Sequence, residues 1–151
     1  MYPNRNLHID LKTVTNLSRA LKSYGFNKRL GWSGNGEPLL TKDFLKLAKI
    51  VSDENPDLKV HEINTNGDVL TKELIHEIYN SGINHIIVSV YDGQQRMDEC
   101  VKMFSEFNSD RYTLRNTFSG NLSGFTNRGG MVDVNREKIK INHSNKCYLP
   151  F

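Results

Sequence analysis

Cysteine is nearly absent from this chain: 151 residues hold two, Cys100 and Cys147. Two cannot build a disulfide framework of the secreted kind, and they are too few for a local tetrahedral thiolate site. No apolar run approaches the length that a membrane span needs. Met1 to Asp10 has no apolar segment of the kind that marks a secretory signal, so a cytoplasmic protein without a membrane partner is expected. An excess of one charge is also missing, since twenty basic and seventeen acidic side chains leave a formal +3. The densest late cluster, Arg128, Arg136, Lys138 and Lys140, has Asp133 and Glu137 set among it. That pattern predicts a solvated mixed-charge surface rather than a nucleic-acid footprint. There is no G-x-x-x-x-G-K-[ST] phosphate loop. Gly34-Asn35-Gly36 begins a G-x-G but runs into Glu37-Pro38 without a third glycine. An acid there would meet a pyrophosphate with the wrong sign, which excludes the usual dinucleotide fingerprint.

What is present is the composition of a soluble domain, 37% hydrophobic and 25% charged. Asp10 is placed to cap a helix over about 11 to 24, with Val14, Leu17, Leu21 and Tyr24 as its apolar stripe and Gly25 as its stop. Leu30 to Ser33 reads as a short strand. Thr41 is the expected cap of a second helix, whose face is Phe44, Leu47, Ala48 and Val51 and which ends at Asn55-Pro56. Leu58 to Thr65 reads as a second strand closed by Asn66-Gly67. Thr71 opens a third helix with Leu74, Ile75 and Ile78 inward, stopped at Ser81-Gly82. Ile83 to Val90 holds the unbroken run Ile86-Ile87-Val88, as in a strand covered on both faces, which favours a parallel sheet. After Asp92-Gly93, Met97, Cys100, Val101 and Phe104 form the stripe of a fourth helix. Arg111 to Phe118 alternates as a last strand.

The strands recur every 25 to 30 residues or so, about the size of one βα unit. Such alternation points to an α/β fold with a parallel sheet. A full eight-unit barrel takes about 250 residues, so roughly four or five units fit here. The expectation is a partial (β/α) TIM-like barrel over residues 1–118, followed by a loop-rich extension over 119–151. Ser119 to Gly130 carries four glycines in twelve positions with no period, and the chain stops on Cys147-Tyr148-Leu149-Pro150-Phe151.

Parallel α/β sheets bind ligands at the carboxyl ends of their strands. The residues leaving the expected strands are Gly34, Asn35, Gly36, Glu37 and Pro38, then Asn66 and Gly67, then Ser89 and Asp92, and last Arg115. This rim suits a zwitterion that also carries hydroxyls: Glu37 for an ammonium, Arg115 for a carboxylate, Ser89 or Asp92 for sugar hydroxyls. Asn66-Gly67 and Asp92-Gly93 are also ordinary turn pairs, and Arg115 also fits a solvent-facing strand position.

Gly34-Asn35-Gly36-Glu37-Pro38-Leu39-Leu40 resembles the G-G-E-P-L-L motif of radical S-adenosylmethionine enzymes. Asn64-Thr65-Asn66-Gly67 with Leu70 is similar to that family's T-N-G-x-x-L element, and Ser89-Val90-Tyr91-Asp92-Gly93 to its S-x-D-G element with one residue inserted. Arg115 resembles the arginine of the fifth family strand. The resemblance implies S-adenosyl-L-methionine as cofactor. Gly34, Gly36 and Glu37 would hold its amino group, Ser89 its ribose or carboxylate, and Arg115 its carboxylate. It further implies a [4Fe-4S] cluster, an electron donor and a 5′-deoxyadenosyl radical. Asn127-Arg128-Gly129-Gly130 and Cys147 to Phe151 resemble the opening of the SPASM or twitch extension. That makes Cys147 a candidate ligand of an auxiliary iron-sulfur cluster and a peptide or protein the first expected substrate. Cys100, on an apolar helix face, fits a small buried hydrophobe. The family's C-x-x-x-C-x-x-C motif is missing, and two cysteines cannot hold its cluster. Either the chain is a piece of a longer enzyme, or it is a degenerate relative, a cluster-free module that binds such a ligand or a partner.

Overall fold

The computed structural model describes residues 8–34 and 36–118. Helix α1, Leu11–Ser23, starts where Asp10 Oδ1 accepts from the Thr13 backbone N–H at 2.7 Å. It ends at Gly25 (φ 64°), with the Phe26 N–H returning to the Leu21 carbonyl. Strand β1 is Arg29–Trp32, and a short 3-10 turn follows at Pro38–Leu40. Helix α2 is Phe44–Glu54, β2 Val60–Thr65, α3 Lys72–Asn80, β3 His85–Val90 and α4 Gln94–Phe104. A second 3-10 turn, Ser109–Arg111, leads into β4, Tyr112–Asn116.

All strand pairs are parallel, and the order across the sheet is β1-β2-β3-β4. The spatial order thus repeats the chain order with no reversal. Because parallel crossovers are almost always right-handed, successive helices of such a run fall on one side of the sheet. This is a segment of a TIM-like barrel rather than a doubly wound sheet, whose strand order reverses. The α/β expectation holds.

The register separates two faces. Leu30 and Trp32 align with His61 and Ile63, and Ile63 and Thr65 with Ile86 and Val88. Ile86 and Val88 align in turn with Tyr112 and Leu114. This face meets the helices: Leu30 and Trp32 pack on Val14 of α1 and Leu47 and Val51 of α2, and the Tyr112 ring lies 4.7 Å from that of Phe104 in α4. The opposite face carries Arg29, Gly31, Val60, Glu62, Asn64, His85, Ile87, Ser89, Thr113 and Arg115, mostly polar. Ile86, Ile87 and Val88 are all buried, so β3 is covered on both faces at that level, as its apolar run implies.

Three expectations need correction. Thr41 does not cap α2: its N–H closes the 3-10 turn on the Pro38 carbonyl, and α2 begins after Asp43, whose left-handed backbone (φ 64°) turns the chain. Leu17 and Tyr24 do not belong to the buried stripe of α1, being 50% and 87% exposed; the inward residues are Val14 and Ser18. The strands also start or stop one or two residues from where the apolar pattern put them, because backbone pairing sets their limits and the pattern does not.

Candidate functional site: the carboxyl rim of the sheet

Each strand delivers its exit residues to the same edge, and two of those exits are tied together directly. Glu37 follows β1, and its half-buried carboxylate makes two bonds. Oε1 accepts from the Leu39 N–H at 3.1 Å, capping the 3-10 turn whose first residue is Pro38. Oε2 accepts from the Asn66 N–H at 2.8 Å, 29 residues away at the exit of β2. The acid therefore joins the glycine loop to the neighbouring strand end. An ionised carboxylate offers about four lone-pair sites, so two remain for a ligand cation.

The exit of β2 is rigid in its own right. Asn66 Oδ1 accepts from the Asp68 N–H at 3.0 Å, and Thr65 Oγ1 accepts from the Gly67 N–H at 3.0 Å. Gly67 has φ 82°, and a Cβ there would lie 2.6 Å from Val88 Cγ1. Only glycine passes at that spot. The Gly67 carbonyl accepts from the guanidinium of Arg96, in the first turn of α4, which also bonds Glu99 at 2.9 Å. Arg96 thus ties the exits of β2 and β3, a role that no motif marks.

Ser89 and Arg115 are register partners on β3 and β4, so they stand side by side on the polar face. Asn64 shares that face one step nearer the strand starts, level with Ile87. Asp92 is exposed in the turn after β3, just before Gly93 (φ 90°) starts α4. Gly34 and Gly36 are exposed in the loop after β1, and a Cβ at either would meet no atom within 4 Å. Pairwise, then, the structure brings together Glu37 with Asn66 and Ser89 with Arg115. Asn35 and Cys147 lie outside the described residues.

Cys100 is buried in α4, where burial pushes its thiol pKa up and disfavours the thiolate. Among the described residues no group of three His, Cys, Asp or Glu side chains could hold a metal ion. They therefore do not fit a [4Fe-4S] cluster. No helix among them is long and apolar enough to cross a membrane.

Below the rim, sequence reasoning also missed His61. It is fully buried on the helix face of β2. Its Nε2 accepts from the Trp32 indole N–H at 2.7 Å, and its Nδ1 lies 3.0 Å from Ser52 Oγ and 3.2 Å from the Gly82 carbonyl. Nothing local in the sequence signals this cluster, whose members come from β1, α2, β2 and the turn before β3.

Fold and rim together define a partial parallel α/β barrel whose carboxyl edge gathers Glu37 with Asn66 and Ser89 with Arg115. No family model and no curated protein matches the sequence. Among solved structures the chain is similar to BtrN in complex with AdoMet and 2-DOIA, with TM-score 0.68 and 24% identity over 86% of this chain and 52% of BtrN. It is also similar to selenomethionine BtrN in an open conformation, with TM-score 0.58 and 23% identity over 72% of this chain and 44% of that one. The chain thus spans about half the length of the BtrN chains it matches, and a likeness at this identity establishes the fold.

Proposed function

We propose that the carboxyl rim binds S-adenosyl-L-methionine and that the chain is the cofactor-binding part of a radical S-adenosylmethionine enzyme. The observation that carries this reading is the Glu37 carboxylate bonded to the Asn66 N–H, which makes one wall of the G-x-G-E-P and N-T-N-G elements. BtrN, which shares the fold, has been crystallised with AdoMet. In this reading the loop of Gly34, Asn35, Gly36 and Glu37, stiffened by Pro38, receives the methionyl ammonium, with Asn66 closing the wall. Arg115 pairs with the carboxylate, and Ser89 and Asp92 take ribose hydroxyls.

The radical chemistry of such enzymes depends on a cluster that the described residues do not fit, so their share is binding and orientation. A [4Fe-4S] cluster, an electron donor and a peptide or protein substrate belong, in this reading, to a longer protein. Cys147 is the proposed ligand of an auxiliary cluster. A second reading, a cluster-free binding module, is favoured by one observation: the described cysteine, Cys100, is buried with its thiol pKa raised.

Calorimetry with S-adenosylmethionine on the 151-residue chain tests the site. Glu37→Gln keeps one acceptor oxygen and loses the charge, so its affinity should fall by about tenfold, the size of one lost charge-assisted hydrogen bond. Arg115→Ala should weaken binding to a similar degree. Unchanged affinity in Glu37→Gln refutes the role of Glu37, and no binding by the native chain refutes the site.

A further inference from the structure

We propose that Trp32 and His61 form a latch that fixes the base of the loop carrying Gly34 to Glu37, and that ligand binding at the rim requires His61 Nε2 to stay an unprotonated acceptor. The second clause rests on the reading of the rim as a cofactor site; the first does not.

The segment that carries the loop leaves β1 at Trp32, passes through the 3-10 turn Pro38–Leu40 and enters α2 at Phe44. Those two rings meet edge to face, with centroids 5.4 Å apart and planes at 82°. The two ends of that segment are thereby held against each other. Trp32 is fixed in turn by its bond to His61. An indole N–H can only donate, so the nitrogen it meets must be a bare lone pair. The remaining proton of the neutral ring then sits on Nδ1, where the Gly82 carbonyl accepts it. Backbone bonds keep the ring on its strand, since the His61 N–H donates to Asn84 Oδ1 at 2.9 Å and the Asn84 N–H to the His61 carbonyl at 2.8 Å.

Protonation of Nε2 would set one donor against another at 2.7 Å and break the bond to Trp32. Among the described residues no carboxylate bonds the ring. Around the ring, β1 contributes Trp32, α2 contributes Ser52, and the turn before β3 contributes Gly82. Glu62, next in the strand, is paired with Arg29 at 2.7 Å, and Glu54 at the end of α2 is paired with Arg19 and Lys22. A cavity of about 90 Å³, lined in part by Ser52, Asn55, His61 and Asn84, gives water a way to the ring.

Burial holds the His61 pKa below its ordinary value, against an opposing upward pull from the Gly82 carbonyl. The sign follows. An unfolded His61 takes up its proton near pH 6.5, but the folded one takes it up only at lower pH. Between those two values the unfolded state binds more protons, so stability falls as the pH drops from about 6.5 toward the folded value and levels off beneath it.

Trp32 is the single tryptophan of the chain, so its emission reports the pair directly. The test titrates that emission from about pH 8 to about pH 4.5 and follows exchange of the Leu39 amide, which is bonded to Glu37 Oε1, in the native chain, His61→Phe and His61→Gln. The native emission should step at a pH below the ordinary histidine value, and the step should vanish in His61→Gln, whose amide oxygen accepts from Trp32 but does not titrate. Leu39 exchange should be about fivefold faster in His61→Phe, the effect of one lost hydrogen bond, and restored in His61→Gln. Affinity for S-adenosylmethionine should fall across the same step in the native chain and stay level in His61→Gln. A step that persists in His61→Gln, or native-like Leu39 exchange in His61→Phe, overturns the latch. If His61→Phe does not fold, Trp32→Phe keeps a smaller ring beside Phe44 and removes the donor; unchanged Leu39 exchange there overturns it equally. No S-adenosylmethionine binding at any pH sinks the cofactor reading, and the emission and exchange results still decide whether the latch fixes the loop.

Discussion

A Cβ on Gly67 would lie 2.6 Å from Val88 Cγ1, in a backbone conformation (φ 82°) that side chains rarely adopt. Gly67→Ala should therefore destabilise the chain by about 1–3 kcal/mol through strain and overpacking together. Urea unfolding would show it as a lowered midpoint at unchanged slope. The same residue gives its carbonyl to Arg96 and, at 3.1 Å, to the Leu70 N–H, so the strain would fall on the turn that presents Asn66. Gly34 differs: a Cβ there meets nothing within 4 Å, although its φ of 154° still favours glycine. Asn66-Gly67 could be read from the sequence as a turn, and the turn is there. The bond from Glu37 to the Asn66 N–H could not be read, because it joins a side chain to a backbone group 29 residues away.

Among the elements, α3 followed its sequence most closely. Thr71 Oγ1 accepts from the Leu74 N–H at 3.2 Å, Ile75 and Ile78 are fully buried, and Gly82 (φ 89°) ends the turn that follows. Cap, stripe and stop are all local, and local signals survive packing. Thr71→Ala should cost about 1 kcal/mol, the usual effect of a lost N-cap, measurable by thermal or urea unfolding. Thr71→Ser should cost much less, because the hydroxyl remains. Helix α1 shows the opposite case. Its apolar spacing points to Leu17, yet Ser18 is the buried residue, because α1 meets α2 there and Asn55 Nδ2 donates to the Ser18 carbonyl at 3.1 Å. A hydroxyl at a helix crossing takes little room, and hydrophobicity alone does not register that. His61 and Arg96 were invisible for a related reason: each acts by joining elements far apart in sequence.

Alternation along the strands has different consequences on the two faces of the sheet, and that bears on what the chain can do. Ile63, Ile86 and Val88 face the helices and are fully buried, whereas Asn64, Ser89 and Arg115 stand on the opposite, polar face. Stability should reside mainly on the first face and ligand binding on the second. Adjacent residues of one strand test this directly. Ile63→Ala removes a fully buried side chain and should cost about 2–5 kcal/mol, with cofactor affinity unchanged under conditions where the variant remains folded. Asn64→Ala, one residue along and half-buried, should alter stability by no more than about 0.5 kcal/mol. Because Asn64 lies below the rim on the face that a bound ligand would overlie, it should weaken S-adenosylmethionine severalfold. Paired urea unfolding and calorimetry would resolve the two. If Asn64→Ala proved as destabilising as Ile63→Ala, the polar face would be part of the core, and the sheet would not be the open wall of a ligand site.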